Sequence, residues 1–73
     1  MNTYLIPIKE KGKLYIKKII AVSEQAVEEK LYEYFYDKYE FIEGDSLNEI
    51  KDQLKDSNIE FGQFYDVDEL IWY

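Results

Sequence analysis

Seventy-three residues suffice for one small domain, 1–73, and sixteen acids against nine lysines leave it at net −7. Histidine, cysteine and arginine are all absent, which excludes disulfides, thiolate metal sites and imidazole- or thiol-based catalysis. The charge is divided along the chain: residues 1–22 carry five lysines and one acid, whereas residues 23–73 carry fifteen acids and four lysines.

The first element follows from alternation. Tyr4, Ile6 and Ile8 recur with period two, as do Leu14, Ile16, Ile20 and Val22 with an interruption at Lys18, and both runs are rich in strand formers. Lys9-Glu10-Lys11-Gly12-Lys13 between them is polar and carries one glycine suited to positive φ, so the two runs form a β-hairpin. Pro7 lacks an amide donor, which places the first strand at a sheet edge or bends it there.

Ser23 is an N-cap candidate, Glu24 complements the positive end of a helix dipole, and Val27, Leu31, Tyr34 and Phe35 recur at helical spacing. At 100° per residue the opposite side of this helix collects Glu29, Tyr32, Glu33, Tyr36 and Asp37. Next, residues 39–43 read as a short strand closed by Gly44. Ser46-Leu47-Asn48-Glu49 has the pattern of a capping box and opens a second helix with Leu47, Ile50 and Leu54 inward and Glu49, Asp52 and Asp56 outward. That helix ends near Asn58, a residue able to take the left-handed conformation. Residues 59–65 form a further strand with Ile59, Phe61 and Tyr65 on one side and Gly62 at a bulge. Asp66-Val67-Asp68-Glu69 begins a short helical turn that leads into extended chain, the alternative being a final strand at Leu70-Ile71-Trp72-Tyr73. The order β-β-α-β-α-β makes an α+β domain, a small and mostly antiparallel sheet covered by two helices on one face.

A core of this size buries about 60% of the unfolded chain's surface, implying a radius of gyration of roughly 11 Å and a stability of roughly 4–11 kcal/mol. The longest apolar run, Ile19 to Val22, falls far short of the ~20 residues of a membrane span, and the N-terminus has no signal-peptide pattern. A cytoplasmic protein without membrane association is expected.

The chemistry is that of a binding protein. No carboxylate pair is singled out for acid–base work, and a core this small has little room for a desolvated cleft, so no catalytic residue and no enzymatic activity are expected. The acids of 66–69 lack the alternating oxygens and central glycine of a calcium loop, and the three glycines are isolated rather than gathered in a phosphate loop, so no metal or cofactor is expected. Lys9, Lys11, Lys13, Lys17 and Lys18, with Tyr4 and Tyr15, form a basic patch that offers nucleic acid a site. Net −7 opposes this, and lysines on an edge hairpin also serve to discourage aggregation.

Five carboxylates, Glu24, Glu28, Glu29, Glu33 and Asp37, lie along the first helix at one per ~4 Å, close to the ~3.4 Å phosphate spacing of a DNA strand. Tyr32 and Tyr36 sit among them, and tyrosine is favoured at interaction hot spots. The expected partner-binding residues are therefore Glu29, Tyr32, Glu33, Tyr36 and Asp37, joined by Glu49, Asp52 and Asp56 of the second helix.

Met1-Asn2-Thr3-Tyr4-Leu5-Ile6 with its hairpin, and Ala21-Val22-Ser23-Glu24-Gln25-Ala26 leading into an acidic, tyrosine-rich helix, give the chain a further likeness. It resembles small acidic proteins encoded by phages and mobile elements of low-GC bacteria, among them anti-CRISPR and other anti-defence proteins. The resemblance is one of size, acidity and layout over the whole chain and carries no functional residue with it. It implies a non-catalytic inhibitor that blocks a host nuclease or nucleic-acid-guided complex, in some cases by imitating DNA. Two alternatives remain beside it: a nucleic-acid-binding module using the lysine hairpin, and an assembly subunit whose exposed aromatics, including Trp72 and Tyr73, complete an oligomer.

Overall fold

Lys11 (φ 50°) and Gly12 (φ 86°) both occupy the left-handed region that a two-residue type I′ turn requires. They join strand β1 (Asn2–Glu10) to β2 (Lys13–Ala21) in the computed structural model, which describes residues 1–69. Helix α1 (Glu24–Lys38), helix α2 (Leu47–Asp56), strands β3 (Ile59–Phe61) and β4 (Tyr65–Asp66) and a 3-10 turn at Val67–Glu69 follow. The sheet is antiparallel, in the order β2-β1-β3, with β4 pairing β1 further along its length. The class is α+β, with two helices on a four-stranded sheet. No helix among the described residues is long and apolar enough to cross a membrane.

Pro7 does not mark an edge, because β1 is the central strand. The two-residue turn makes Glu10 and Lys13 a hydrogen-bonded pair, so the even residues of β1 bond to β2 and the odd residues turn toward β3 and β4. Gly62 N–H donating to the Pro7 carbonyl at 2.9 Å confirms that alternation. The donor that Pro7 lacks would point into the gap between the end of β3 at Phe61 and the start of β4 at Tyr65. Gly62 fits the same place, since a Cβ there would lie 2.9 Å from the Pro7 ring.

The alternating set Leu14, Ile16, Ile20 and Val22 is not the inward face of β2. Tyr15, Ile19 and Ala21 turn to the helices, while Leu14 (74% exposed), Ile16 (63% exposed), Ile20 and Val22 lie on the open side of the sheet. Both parities of this strand carry apolar side chains, so its own pattern is ambiguous. Register with β1 decides, because the tight turn sets Tyr15 opposite Ile8 and Ile19 opposite Tyr4, both on the inward face of β1.

Ile6 and Ile8 of β1, Val27, Leu31 and Phe35 of α1, Ile50 and Leu54 of α2, and Ile59 of β3 form the fully buried core. Ser23 caps α1 by accepting from Ala26 N–H at 3.3 Å, and Ser46 caps α2 by accepting from Glu49 N–H at 3.4 Å. The Glu49 carboxylate closes its box one residue early, on Asp45 N–H. Asn58 takes the expected left-handed conformation at φ 67°.

The strand expected over residues 39–43 is absent, so the order is β-β-α-α-β-β. Of residues 39–43 Ile42 alone is buried, as part of the core, and the backbone of Glu43 finds its partner in a side chain. The Gln53 amide accepts from Glu43 N–H at 2.8 Å and donates to the Glu43 carbonyl, supplying both bonds that a neighbouring strand would have made. Beyond Phe61 the chain breaks its strand, and Tyr65 emerges on the outer face instead of beside Ile59 and Phe61. The expected turn at 66–69 is present, with Asp66 accepting from Asp68 N–H at 3.0 Å. The extended chain expected after it, with Trp72 and Tyr73, lies outside the described residues. The radius of gyration is 12.7 Å, above the ~11 Å of a sphere-like domain, because the nine-residue hairpin strands stretch the molecule to 44 × 26 × 16 Å.

Candidate functional site

Packing fixes which way the acids of α1 face. With Val27, Leu31 and Phe35 held in the core, Glu28, Glu29, Glu33, Tyr36 and Asp37 project to solvent on the other side of the helix. The loop entering α2 returns beside them, and a groove of about 340 Å³ opens between the two, lined chiefly by Glu28, Glu29, Tyr32 and Glu33 from α1 and by Asp45 and Ser46 from the loop. Leu47, nearly buried, closes its base.

Four carboxylates therefore border one groove. Among the described residues the single salt bridge is Lys38 to Glu10, so none of the four has a lysine within ion-pair distance. Lys30, the nearest in sequence, donates to the Ile20 carbonyl at 2.7 Å. Exposed like charges gathered in this way raise one another's energy and attract a cationic side chain or surface. No three acidic side chains among the described residues converge closely enough to hold a metal ion.

The two tyrosines of the expected site have different duties. Tyr32 is half-buried, and its hydroxyl donates to the Gly44 carbonyl at 2.6 Å, which ties α1 to the loop and sets the width of the groove. Tyr36 packs on it with ring centroids 5.6 Å apart and remains 52% exposed, leaving one aromatic face for a partner. Glu29, Tyr32 and Glu33 thus come together, with Tyr36 against Tyr32 and Glu49 joined to the loop through Asp45. Asp37, Asp52 and Asp56 are exposed on their helices but do not line the groove. Glu28 and Asp45 line the groove without standing among the expected partner-binding residues: Glu28 belongs to the row of carboxylates along α1, and the only signal for Asp45 is its place between Gly44 and the Ser46 cap, where a loop returns toward α1.

The remaining tyrosines are mostly structural. At the C-terminal end of α1 the Lys38 ammonium donates to both Glu10 oxygens, at 2.6 and 2.7 Å, and to the Tyr34 hydroxyl at 3.3 Å. The rings of Tyr34, Tyr15 and Tyr39 surround it at 5.4, 5.7 and 5.8 Å. Burial alone would raise the Glu10 carboxyl, but the bond from Lys38, the facing Tyr39 hydroxyl and the nearby lysine charges outweigh it and hold Glu10 below its ordinary 4.5. The same bond, against the opposing effect of burial, raises the Lys38 ammonium. Burial and the neighbouring Glu10 carboxylate push Tyr39 up to about 12. Burial, then the hydrogen bond with Tyr34 at 2.8 Å, raises Tyr15 as well.

This cluster removes the stacking half of the lysine-hairpin alternative. Tyr15 belongs to it and Tyr4 is buried, so neither ring lies open to a base. Lys17 rests over the Tyr34 ring at 4.3 Å, and Lys9 stands opposite Glu60 in the β1–β3 register. Two acids of the C-terminal turn are also engaged, Asp66 accepting from the Asn2 amide and Asp68 from Thr3 N–H, each at 2.9 Å. No family model, curated protein or solved structure matches the chain.

Proposed function

We propose that this chain is a non-enzymatic protein-binding module that sets the acidic groove and flanking face of α1 against a basic protein surface. In its specific form the partner is the nucleic-acid channel of a host defence complex, which the module blocks by presenting carboxylates where phosphates would lie. The observation that carries the reading is the convergence of Glu28, Glu29, Glu33 and Asp45 on one groove with no lysine paired to any of them.

Exposed ion pairs contribute only ~0–1 kcal/mol each, so the carboxylates act mainly by steering a cationic partner and fixing its register. Packed contact must supply the rest. Tyr36, half-exposed and braced by Tyr32, is the side chain built to give it. A lysine or arginine entering the groove would meet carboxylates on both walls and the Tyr32 ring beside them.

The test is affinity capture from host extract at moderate salt with the immobilised chain, followed by competition with duplex DNA. Release of the captured protein by DNA, together with no gel shift of DNA by the chain itself, is the expected result. Retention of the captured protein at saturating DNA would contradict the blocking mechanism. A gel shift by the chain alone would favour the lysine hairpin instead.

A further inference from the structure

The pairing alternation that places Pro7 also defines the other side of the hairpin. Because Lys13, Tyr15, Lys17, Ile19 and Ala21 bond to β1, the backbone groups of Leu14, Ile16, Lys18 and Ile20 point away from the sheet. Among the described residues β2 is the terminal strand of the order β2-β1-β3, and no strand of theirs lies beyond these groups. Lys30 occupies the Ile20 carbonyl, which closes one end. An open run remains from Leu14 to Lys18, with three amide donors alternating with three carbonyl acceptors.

The side chains along this run sort by face. Leu14 and Ile16 lie on the open side of the sheet, and Lys13 and Lys17 on the side toward the helices. Residues 11–22 contain four lysines and no acid, in a protein that is otherwise strongly acidic. A second copy of this strand is a poor occupant, since β2–β2 pairing would bring together two lysine-rich strands with no carboxylate on either. A segment that carries acids where β2 carries lysines has no such conflict.

We infer that the β2 edge is a docking site for an extended acidic polypeptide segment, which adds to the sheet as a fifth strand. Its backbone completes the bonds of Leu14, Ile16 and Lys18. Its aliphatic residues continue the surface of Leu14 and Ile16, and its carboxylates reach Lys13 and Lys17. The site is separate from the acidic groove and does not depend on it.

The probe is a capped ten-residue peptide alternating valine and glutamate, titrated into the isotope-labelled full chain, with a valine–lysine peptide as control. The acidic peptide should bind about tenfold more tightly or better, consistent with charge complementarity. It should slow hydrogen exchange of the Leu14, Ile16 and Lys18 amides while leaving those of Tyr15 and Lys17, already bonded to β1, unchanged. Ile16→Pro removes an outward donor, and main-chain N-methylation at Ile16 removes it with the side chain intact; each should abolish the protection. Glu29→Lys/Glu33→Lys should leave peptide binding in place, which separates this site from the groove. The inference is overturned if the lysine peptide binds as well, if protection appears on α1 or α2 instead, or if the N-methylated chain binds undiminished. Two other results overturn it by naming a different occupant: concentration-dependent protection without peptide, which indicates a second copy, and displacement of the peptide by an equal concentration of oligothymidylate, which indicates nucleic acid.

Discussion

Lys38→Met keeps the aliphatic stem and removes the ammonium from between Glu10 and the three tyrosine rings. The Glu10 carboxylate, 9% exposed, is then left without a cation. Breaking a fully buried pair from one side costs about 3–5 kcal/mol. The Lys38 side chain is 41% exposed, so water reaches the vacated place and we take roughly half, ~2 kcal/mol. For a domain of this size that corresponds to a fall in Tm of roughly 8–16 °C. The pH dependence separates electrostatics from lost packing. In the natural chain Glu10 is held below 4.5, so its contribution is present above 4.5 and is lost as pH falls through the lower folded value. In the variant burial, the largest of these effects, is opposed only by the Tyr39 hydroxyl and the Lys11 charge and raises the carboxyl, and a raised carboxyl contributes stability at low pH that is lost as pH rises. The difference between the two proteins should therefore shrink between pH 7 and pH 4.5. Urea unfolding followed by far-ultraviolet circular dichroism at both pH values measures it. A loss below about 0.5 kcal/mol, or one identical at the two pH values, would refute the electrostatic account of this cluster.

The orientation of β2 is tested by a pair of variants: Leu14→Ser should change stability by less than ~0.5 kcal/mol, whereas Ile19→Ala should cost about 2–4 kcal/mol in urea unfolding. Gly62→Ala drives a Cβ against the rigid Pro7 ring and should cost about 1–3 kcal/mol; combining it with Pro7→Ala should recover part of the loss. Lys11→Asn places a residue tolerant of positive φ at the first turn position and should stabilise the hairpin by about 0.5 kcal/mol, read as a rise in Tm.

Much of this fold is legible in the chain because several local signals coincide. Ser23 and Ser46 cap helices whose apolar spacing starts at once, and Gly12 and Asn58 stand where positive φ is needed. The failures occur where a long-range partner decides. Residues 39–43 have strand composition, yet Gln53, ten residues further on, satisfies Glu43 and removes the need for a neighbouring strand. The face of β2 depended on register, and the position of Pro7 on a gap between two strands that pair the same neighbour. At the candidate site, helical periodicity locates Glu29, Glu33 and Tyr36, since it needs only the direction of the core. It could not separate Tyr32 from Tyr36, because the bond from Tyr32 to Gly44 depends on where the loop returns. Asp45 was hidden for the same reason.

The most direct measurement of the proposed function is the affinity of the captured basic protein for the natural chain and for Glu29→Lys/Glu33→Lys, each at low and at moderate salt. Both substitutions lie on exposed positions of α1 and leave its buried stripe intact. The expected result is an affinity that falls steeply with salt for the natural chain, is weakened about tenfold or more by the double reversal, and loses most of its salt dependence with it. Equal affinities with equal salt slopes would contradict the claim that this acidic face is the binding surface.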